Sequence, residues 1–193
     1  MPGRLASGAA QMKQVAFDFL LGPGLISKGI AYFGQGGQGW SHCACVLEDG
    51  RYLDARDTSI NGVPRGVHIR EAGTEAWIRR RTAKLEVTDN DYAVWEAGLR
   101  THLTSDYDQD AILGFLEGRS MHTAGRWICS ALAANSVQHM CRNWGSITVE
   151  GALVRRVGFV PFPLPNPAHQ ISPDALLLIF ATAGFTIGPI VEN

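Results

Sequence analysis

One stretch decides the fold, and it reads Ser41-His42-Cys43-Ala44-Cys45-Val46-Leu47-Glu48-Asp49-Gly50-Arg51-Tyr52-Leu53-Asp54-Ala55-Arg56. Apolar and aromatic residues on both sides of an Asp-Gly pair are typical of a β-hairpin. A two-residue turn at Asp49-Gly50 would pair Glu48 with Arg51. A three-residue loop would instead put Gly50 in the left-handed conformation and pair Leu47 with Arg51. The choice matters because a shift of one residue moves every side chain to the opposite face.

The three-residue loop separates polar from apolar side chains better than the two-residue turn does. One face then carries the apolar residues, with Arg51 at the rim: Cys43, Cys45, Leu47, Leu53 and Ala55. The other face carries His42, Ala44, Val46, Tyr52, Asp54 and Arg56. In this register Asp54 is the diagonal neighbour of His42, close enough for their side chains to meet. The two-residue turn would bring Asp57 beside His42, so Asp54 is the predicted partner and Asp57 the alternative.

Length and composition favour one globular domain over residues 1–193, with a flexible tail at 1–11. The chain has 17 Lys and Arg against 18 Asp and Glu, and its net charge of −1 without charge runs argues against a nucleic-acid partner. The best apolar run, Ala175–Ala183, is shorter than the roughly 20 residues of a membrane span. Lys13 and Asp18 interrupt the only stretch that resembles a signal-peptide core, so we expect a cytoplasmic protein with reduced thiols.

The remaining pattern predicts a mixed α+β fold. The expected elements are a strand or helix at 15–21, a helix at 25–33, strands at 41–47, 51–55, 67–70 and 84–88, helices at 89–103, 111–116 and 127–140, a strand region at 153–162 and a helix that begins at Ser172-Pro173-Asp174. Asp89 is the expected cap of the second helix, with Val94 and Ala97 on its inner stripe. The glycine-rich residues 34–39 are expected to form a loop beside the site.

Cys129 is the candidate nucleophile. It lies in Trp127-Ile128-Cys129-Ser130-Ala131-Leu132, where the pattern becomes helical. A helix N-terminus stabilises a thiolate, and a nearby imidazole can take the proton. His42 would act as general base and then acid, while Asp54 would fix its orientation. Free cysteine is also among the most buried residue types, and that structural role is expected for Cys43, Cys45 and Cys141.

A zinc site is the alternative chemistry. His42, Cys43 and Cys45 are close in sequence, and Cys129, His139 and Cys141 could complete a ligand set. However, the alternation of a strand sends His42 to the opposite face from Cys43 and Cys45, and no C-x-x-C or H-x-x-x-H spacing is present. We therefore predict neither a metal site nor a cofactor.

The hairpin also resembles a known family. Residues 39–47 and 49–55 resemble the histidine-bearing hairpin of NlpC-type papain-like cysteine peptidases, and Tyr107-Asp108 and Trp127-Ile128-Cys129-Ser130 resemble later motifs of the circularly permuted branch. In that branch, which is related to the lecithin:retinol acyltransferases, the histidine precedes the cysteine. The resemblance implies a permuted papain-like fold, a small antiparallel sheet or half-barrel packed against helices.

The resemblance also implies roles for particular residues. Cys129 would be the nucleophile, His42 the base and Asp54 the third polar residue, a place where many relatives have Glu or His. Tyr107 matches a motif tyrosine, and with Trp40 and Ser130 it is expected to line the substrate pocket.

The predicted function is therefore hydrolysis of an amide bond, in a peptide or peptidoglycan-like substrate, through an acyl-enzyme. One alternative is a lipid thioesterase or acyltransferase that binds an acyl chain between Trp40, Tyr52 and Phe33. Another is a binding module that keeps the fold without turnover.

Overall fold

The computed structural model describes residues 12–33, 39–117, 121–142, 147–149, 152–154 and 171–193. Its elements in chain order are β1 (Met12–Leu21), α1 (Leu25–Phe33), β2 (His42–Val46), β3 (Tyr52–Arg56), β4 (Gly66–Arg70), β5 (Arg79–Thr88), α2 (Asp89–Arg100), α3 (Gln109–Glu117), α4 (Cys129–Arg142), β6 (Ile147–Val149), β7 (Ala152–Val154), α5 (Pro173–Thr182), β8 (Thr186–Ile187) and β9 (Val191–Glu192).

A seven-stranded antiparallel sheet forms the centre of the fold. Its strands follow the order β4-β3-β2-β1-β5-β8, and β9 also pairs with β5. β6 and β7 form a separate two-stranded hairpin. The predicted α+β class and the antiparallel sheet are thus confirmed. Residues 15–21, for which the sequence left strand and helix open, belong to strand β1.

The hairpin of β2 and β3 adopts the three-residue loop. Val46 pairs with Tyr52, and the Leu47 N–H donates to the Arg51 carbonyl at 2.8 Å. Gly50 has a φ of +83°, as the predicted left-handed position requires. The apolar side chains of this hairpin consequently lie in the core, and His42 and Asp54 share the other face.

The core lies between one face of the sheet and helices α2, α4 and α5. Phe17 of β1 is fully buried at its centre. Its ring meets Trp95 of α2 edge-on at 5.8 Å and packs against Phe180 of α5 at 4.7 Å. Such aromatic pairs bury a large apolar area and prefer these tilted geometries. The core therefore fixes the helices against the strands that carry the polar face.

Helix α2 begins differently from the prediction. Its N-cap is Thr88, whose side chain accepts from the Asp91 N–H, and Asp89 is the first helical residue. Val94 is half-buried and Ala97 exposed, so the predicted inner stripe is wrong. The buried face instead follows the spacing of Tyr92, Trp95 and Leu99, because the large aromatic side chains decide which side of the helix meets the sheet.

Helix α5 begins as predicted, with Ser172 as N-cap and Pro173 in the first turn. The predicted strand region at 153–162 overlaps β7, but residues 155–162 lie outside the described residues, as do the tail at 1–11 and the loop residues 34–38. Within the described part of the chain, no helix has the length and apolar character needed to cross a membrane.

The turn residue Gly50 gives a direct test of the hairpin register. Gly50→Ala should lower the free energy of unfolding by about 1 kcal/mol, since a left-handed conformation strains any residue with a Cβ atom. A Cβ atom would meet nothing within 4 Å at Gly50 or at Gly24, and Gly24 does not have a positive φ. Gly24→Ala is therefore the matched control, and denaturant unfolding of both variants measures the difference. Equal stability of the two variants would contradict the three-residue loop.

Candidate active site

His42 and Asp54 meet on the polar face of the hairpin. His42 Nε2 lies 2.8 Å from Asp54 Oδ2. Both residues are buried, His42 at 9 % and Asp54 at 1 % exposure. His42 is the first residue of β2, and Asp54 is the central residue of β3. The contact goes to Asp54 rather than Asp57, because the three-residue loop puts Asp54 on the same face as His42.

The Asp54 carboxylate also binds two arginines. Arg56 Nε donates to Asp54 Oδ2 at 2.7 Å, and Arg70 Nη1 donates to Oδ1 at 2.8 Å. Burial raises the pKa of Asp54, but the charge of Arg56 and the hydrogen bond from His42 outweigh it and hold this pKa well below the usual range. The sequence placed Arg56 on this face without a role. It did not identify Arg70, which reaches the site through the pairing of β3 with β4.

Cys129 is the first residue of α4 and lies against His42. The His42 imidazole and the backbone N–H of Cys43 lie close enough to its sulfur to stabilise a thiolate. Burial opposes ionisation of the thiol, but the charge of His42 and the proximity of these two groups outweigh it and lower the pKa of Cys129. The structure therefore brings together the three predicted residues, Cys129, His42 and Asp54.

The imidazole is poised to hold a proton. Burial and the charge of Arg56 lower the pKa of His42. The opposite effects of Cys129 and Asp54 are larger, so the pKa is raised to about 9. Because Nε2 contacts Asp54, Nδ1 is the ring nitrogen that does not bind the carboxylate. A lowered thiol pKa beside a raised imidazole pKa shifts the pair toward thiolate and imidazolium.

The start of α5 joins the two halves of this site. Asp174 is fully buried, and its carboxylate accepts the N–H groups of Trp40 at 2.7 Å and Gly39 at 3.0 Å. Two residues from the α5 N-terminus, the carbonyl of Ile171 accepts the Ser130 hydroxyl at 2.6 Å. Ser130 follows Cys129, and Trp40 lies two residues before His42. The sequence identified Asp174 only as part of a helix start, so this second role was missed.

The predicted pocket residues occupy different places. Tyr107 is half-buried, and its backbone forms an isolated parallel β-bridge with Trp127. Burial and the charge of Cys129 raise the pKa of Tyr107 well above the usual value. Trp40 is 1 % exposed and Ser130 is fully buried. Both side chains lie in the interior, and the Ser130 hydroxyl donates to the carbonyl of Ile171. The role of these two residues in a substrate pocket stays a prediction.

The acyl groove of the alternative hypothesis is not formed by the residues expected to line it. Trp40 belongs to the core between sheet and helices, whereas Tyr52 packs with Leu20 and Ala44 on the opposite face of the sheet. The side chain of Phe33 lies outside the described residues. A sheet separates Trp40 from Tyr52, so these two cannot line one groove.

The other cysteines differ from Cys129 in their surroundings. Burial raises the pKa of Cys43 and Cys45 well above the usual value, and it raises that of Cys141 to about 12. Among the described residues, no group of three or more His, Cys, Asp and Glu side chains could hold a metal ion. His42 is turned to Asp54 and Cys129, so the zinc alternative around Cys43 and Cys45 has no support in the geometry.

A groove of about 470 Å³ lies elsewhere on the molecule. Its lining includes Asp18, Arg80 and Thr82 but neither Cys129 nor His42. Asp18 accepts the hydroxyls of Tyr52 and Thr82, each at 2.5 Å. These hydrogen bonds give Asp18 a structural role within the sheet. The residues of the candidate active site do not line this groove.

Comparison with known proteins identified no relative of this chain. No family model, curated protein or solved structure matches the chain.

Asp174→Asn tests the link between the two halves of the site. An asparagine offers one acceptor oxygen instead of two and puts an amide N–H against a backbone N–H. We expect a loss of about 2 kcal/mol in unfolding free energy, the range of a buried charged hydrogen bond. Asp89→Asn is the matched control, because Asp89 is also in a first helical turn but has a half-exposed side chain. A loss no larger than that of the control would contradict the proposed link.

The thiols should differ in reactivity with pH. Cys129 should be alkylated by iodoacetamide at neutral pH, because its lowered pKa increases the fraction of thiolate. Cys43 and Cys45, whose pKa values are raised, should stay unmodified in the folded protein. Mass spectrometry of the alkylated peptides across pH measures the midpoint for each thiol. A Cys129 midpoint at or above that of free cysteine, about 8.5, would contradict this assignment.

Proposed function

We propose that this protein is a cysteine-dependent hydrolase that cleaves an amide bond through an acyl-enzyme. The observation that carries the proposal is the chain of contacts from the Cys129 thiol through the His42 imidazole to the Asp54 carboxylate. A nucleophile, a base and a group that orients the base are the parts of such a mechanism. Asp54 fixes Nε2 of His42 and leaves Nδ1 for the proton of the thiol.

The proposed reaction has two steps. The Cys129 thiolate attacks the carbonyl carbon, and the carbonyl oxygen takes the developing negative charge. The first N–H groups of a helix lack partners within the helix, so those at the start of α4 are suited to stabilise that oxyanion. His42 then gives its proton to the leaving amine as the C–N bond breaks. In the second step His42 takes a proton from water, the resulting hydroxide attacks the thioester, and the acid product leaves with regeneration of the thiol.

We also propose the permuted papain-like fold for this chain. Three features support it: the histidine opens a strand, the cysteine opens a helix, and the histidine precedes the cysteine in the chain. The substrate class, a peptide or peptidoglycan-like amide, follows from that resemblance. The four cysteines are free thiols, which supports a reducing compartment such as the cytoplasm as the place of action.

Electrophilic probes test the proposed chemistry. Peptide, peptidoglycan-fragment and acyl-ester electrophiles should be compared for covalent labelling, with preferential labelling of Cys129 by one of the amide-mimicking probes. Cys129→Ala should abolish labelling. His42→Ala should slow it by roughly 10²–10⁴-fold, the usual contribution of a positioned acid–base group. Asp54→Asn should slow it less if the carboxylate only orients the imidazole, although loss of the correct tautomer can be severe.

Folding must be measured beside labelling in these variants. Asp54→Asn removes the charge that balances two buried guanidinium groups, and breaking such a network costs about 3–5 kcal/mol. Cys45→Ala is the control, because Cys45 is a buried core thiol: it should lose stability and keep labelling. If Cys45→Ala abolishes labelling in a folded protein while Cys129→Ala retains it, the proposal is wrong. If no electrophile labels folded wild-type protein, a non-catalytic binding module becomes the better account.

A further inference from the structure

Arg56 and Arg70 both bind Asp54, but they differ in what else they contact. Arg56 Nε donates to Oδ2, the same carboxylate oxygen that faces His42 Nε2. Arg70 donates to Oδ1, and its second terminal nitrogen donates to the carbonyl of Pro64 at 2.8 Å. Arg70 therefore ties the carboxylate to the backbone before β4, whereas Arg56 lies on the side of Asp54 that faces the imidazole.

Arg56 also connects this oxygen to a carboxylate nearer the surface. When the pairing of Val46 with Tyr52 is continued along the two strands, Arg56 lies opposite His42. Its terminal nitrogens pair with Glu75, which follows β4. The side chain of Arg56 is 9 % exposed and that of Glu75 is 20 % exposed. Arg56 thus lies between the carboxylate that orients the base and the carboxylate of the partly exposed Glu75.

We propose that Arg56 is a positioning residue that sets the pH range over which Cys129 and His42 react, and that Glu75 adjusts this range from the surface. The proposal rests on the function proposed above and deepens it. Arg56 acts in two ways: its hydrogen bond holds Asp54 Oδ2 toward His42, and its positive charge lies beside the reacting pair. Neither action requires contact with a substrate.

The charged and titratable groups around the pair come from several elements. They are Cys43 and Cys45 on β2, Asp54 and Arg56 on β3, Asp57 after β3, Arg70 on β4, Glu75 after β4, and Tyr107 before α3. In this set Arg56 is the cation whose charge lowers the pKa of both His42 and Cys129. Its loss should therefore move both ionisations to higher pH. Loss of the Glu75 charge should leave Arg56 less neutralised and move them to lower pH.

The opposite signs of these two effects make the test specific. The rate of Cys129 alkylation by iodoacetamide is measured against pH in the full chain, with the site of modification identified by mass spectrometry. Arg56→Gln should raise the midpoint by about one pH unit, the effect of removing one nearby opposite charge. Glu75→Gln should lower it by a smaller amount, because partial exposure screens its charge.

Two further variants separate charge from structure. Arg56→Lys keeps the positive charge and should leave the midpoint near that of the wild type, even if the loss of the planar guanidinium lowers stability. Arg51→Gln removes an exposed arginine that pairs with Asp49 at the turn of the same hairpin. This variant should leave the midpoint of Cys129 alkylation unchanged. Thermal unfolding of each variant reports any structural effect separately from the midpoint.

The outcomes distinguish this proposal from the function on which it rests. Opposite shifts in Arg56→Gln and Glu75→Gln support it. Unchanged midpoints, or shifts in the same direction, overturn it and leave Arg56 as part of the fold only. If Arg56→Gln does not fold, the direction in Glu75→Gln decides alone: a lower midpoint supports the proposal, and an unchanged one overturns it. Failure of wild-type Cys129 to react at neutral pH would instead refute the proposed function.

Discussion

A buried carboxylate constrains the whole polar face of the hairpin. Asp54 is 1 % exposed, and an isolated charge in such a place would be very unfavourable without partners. His42, Arg56 and Arg70 together occupy both of its oxygens. These partners come from three adjacent strands, so the carboxylate is stable only when β2, β3 and β4 are all in register. The imidazole is therefore fixed by the same contacts that hold the sheet edge together.

The sequence was sufficient to predict the part of this network that lies within one hairpin. The alternation of side chains selected the three-residue loop, and that register alone placed His42 near Asp54. Arg70 was not predictable in the same way. It reaches the carboxylate because Asp54 pairs with His68. The residues between β3 and β4 contain an Asn61-Gly62 turn at which Ile60 pairs with Val63, but pairing continued from that turn would put Asp54 opposite Ile69, one residue away from the observed register. A strand can thus be predicted near its correct place while its partners remain unknown.

Contacts between distant elements were beyond the sequence for a similar reason. Asp174 has the local pattern of a helix start, and that pattern accounts for its position without the Gly39 and Trp40 amides that it also binds. Helix α2 shows the same limit, since the pattern favoured Val94 for its inner face, whereas the large ring of Trp95 packs there. In both cases the local signal was correct about the element, and tertiary packing decided which side chains meet.

The four thiols show why burial alone does not determine reactivity. Cys43, Cys45 and Cys129 are each at most 4 % exposed, and burial disfavours a thiolate at all three. Only for Cys129 do an imidazole and a backbone N–H outweigh this effect. Transfer of a proton from thiol to imidazole leaves the net charge of the pair unchanged, and Asp54 and Glu75 balance Arg56 and Arg70 around it. An ion pair of Cys129 and His42 would therefore form beside two arginines whose charges are already matched by two carboxylates. In the proposed function, this balance allows a thiol so deeply placed to act as the nucleophile.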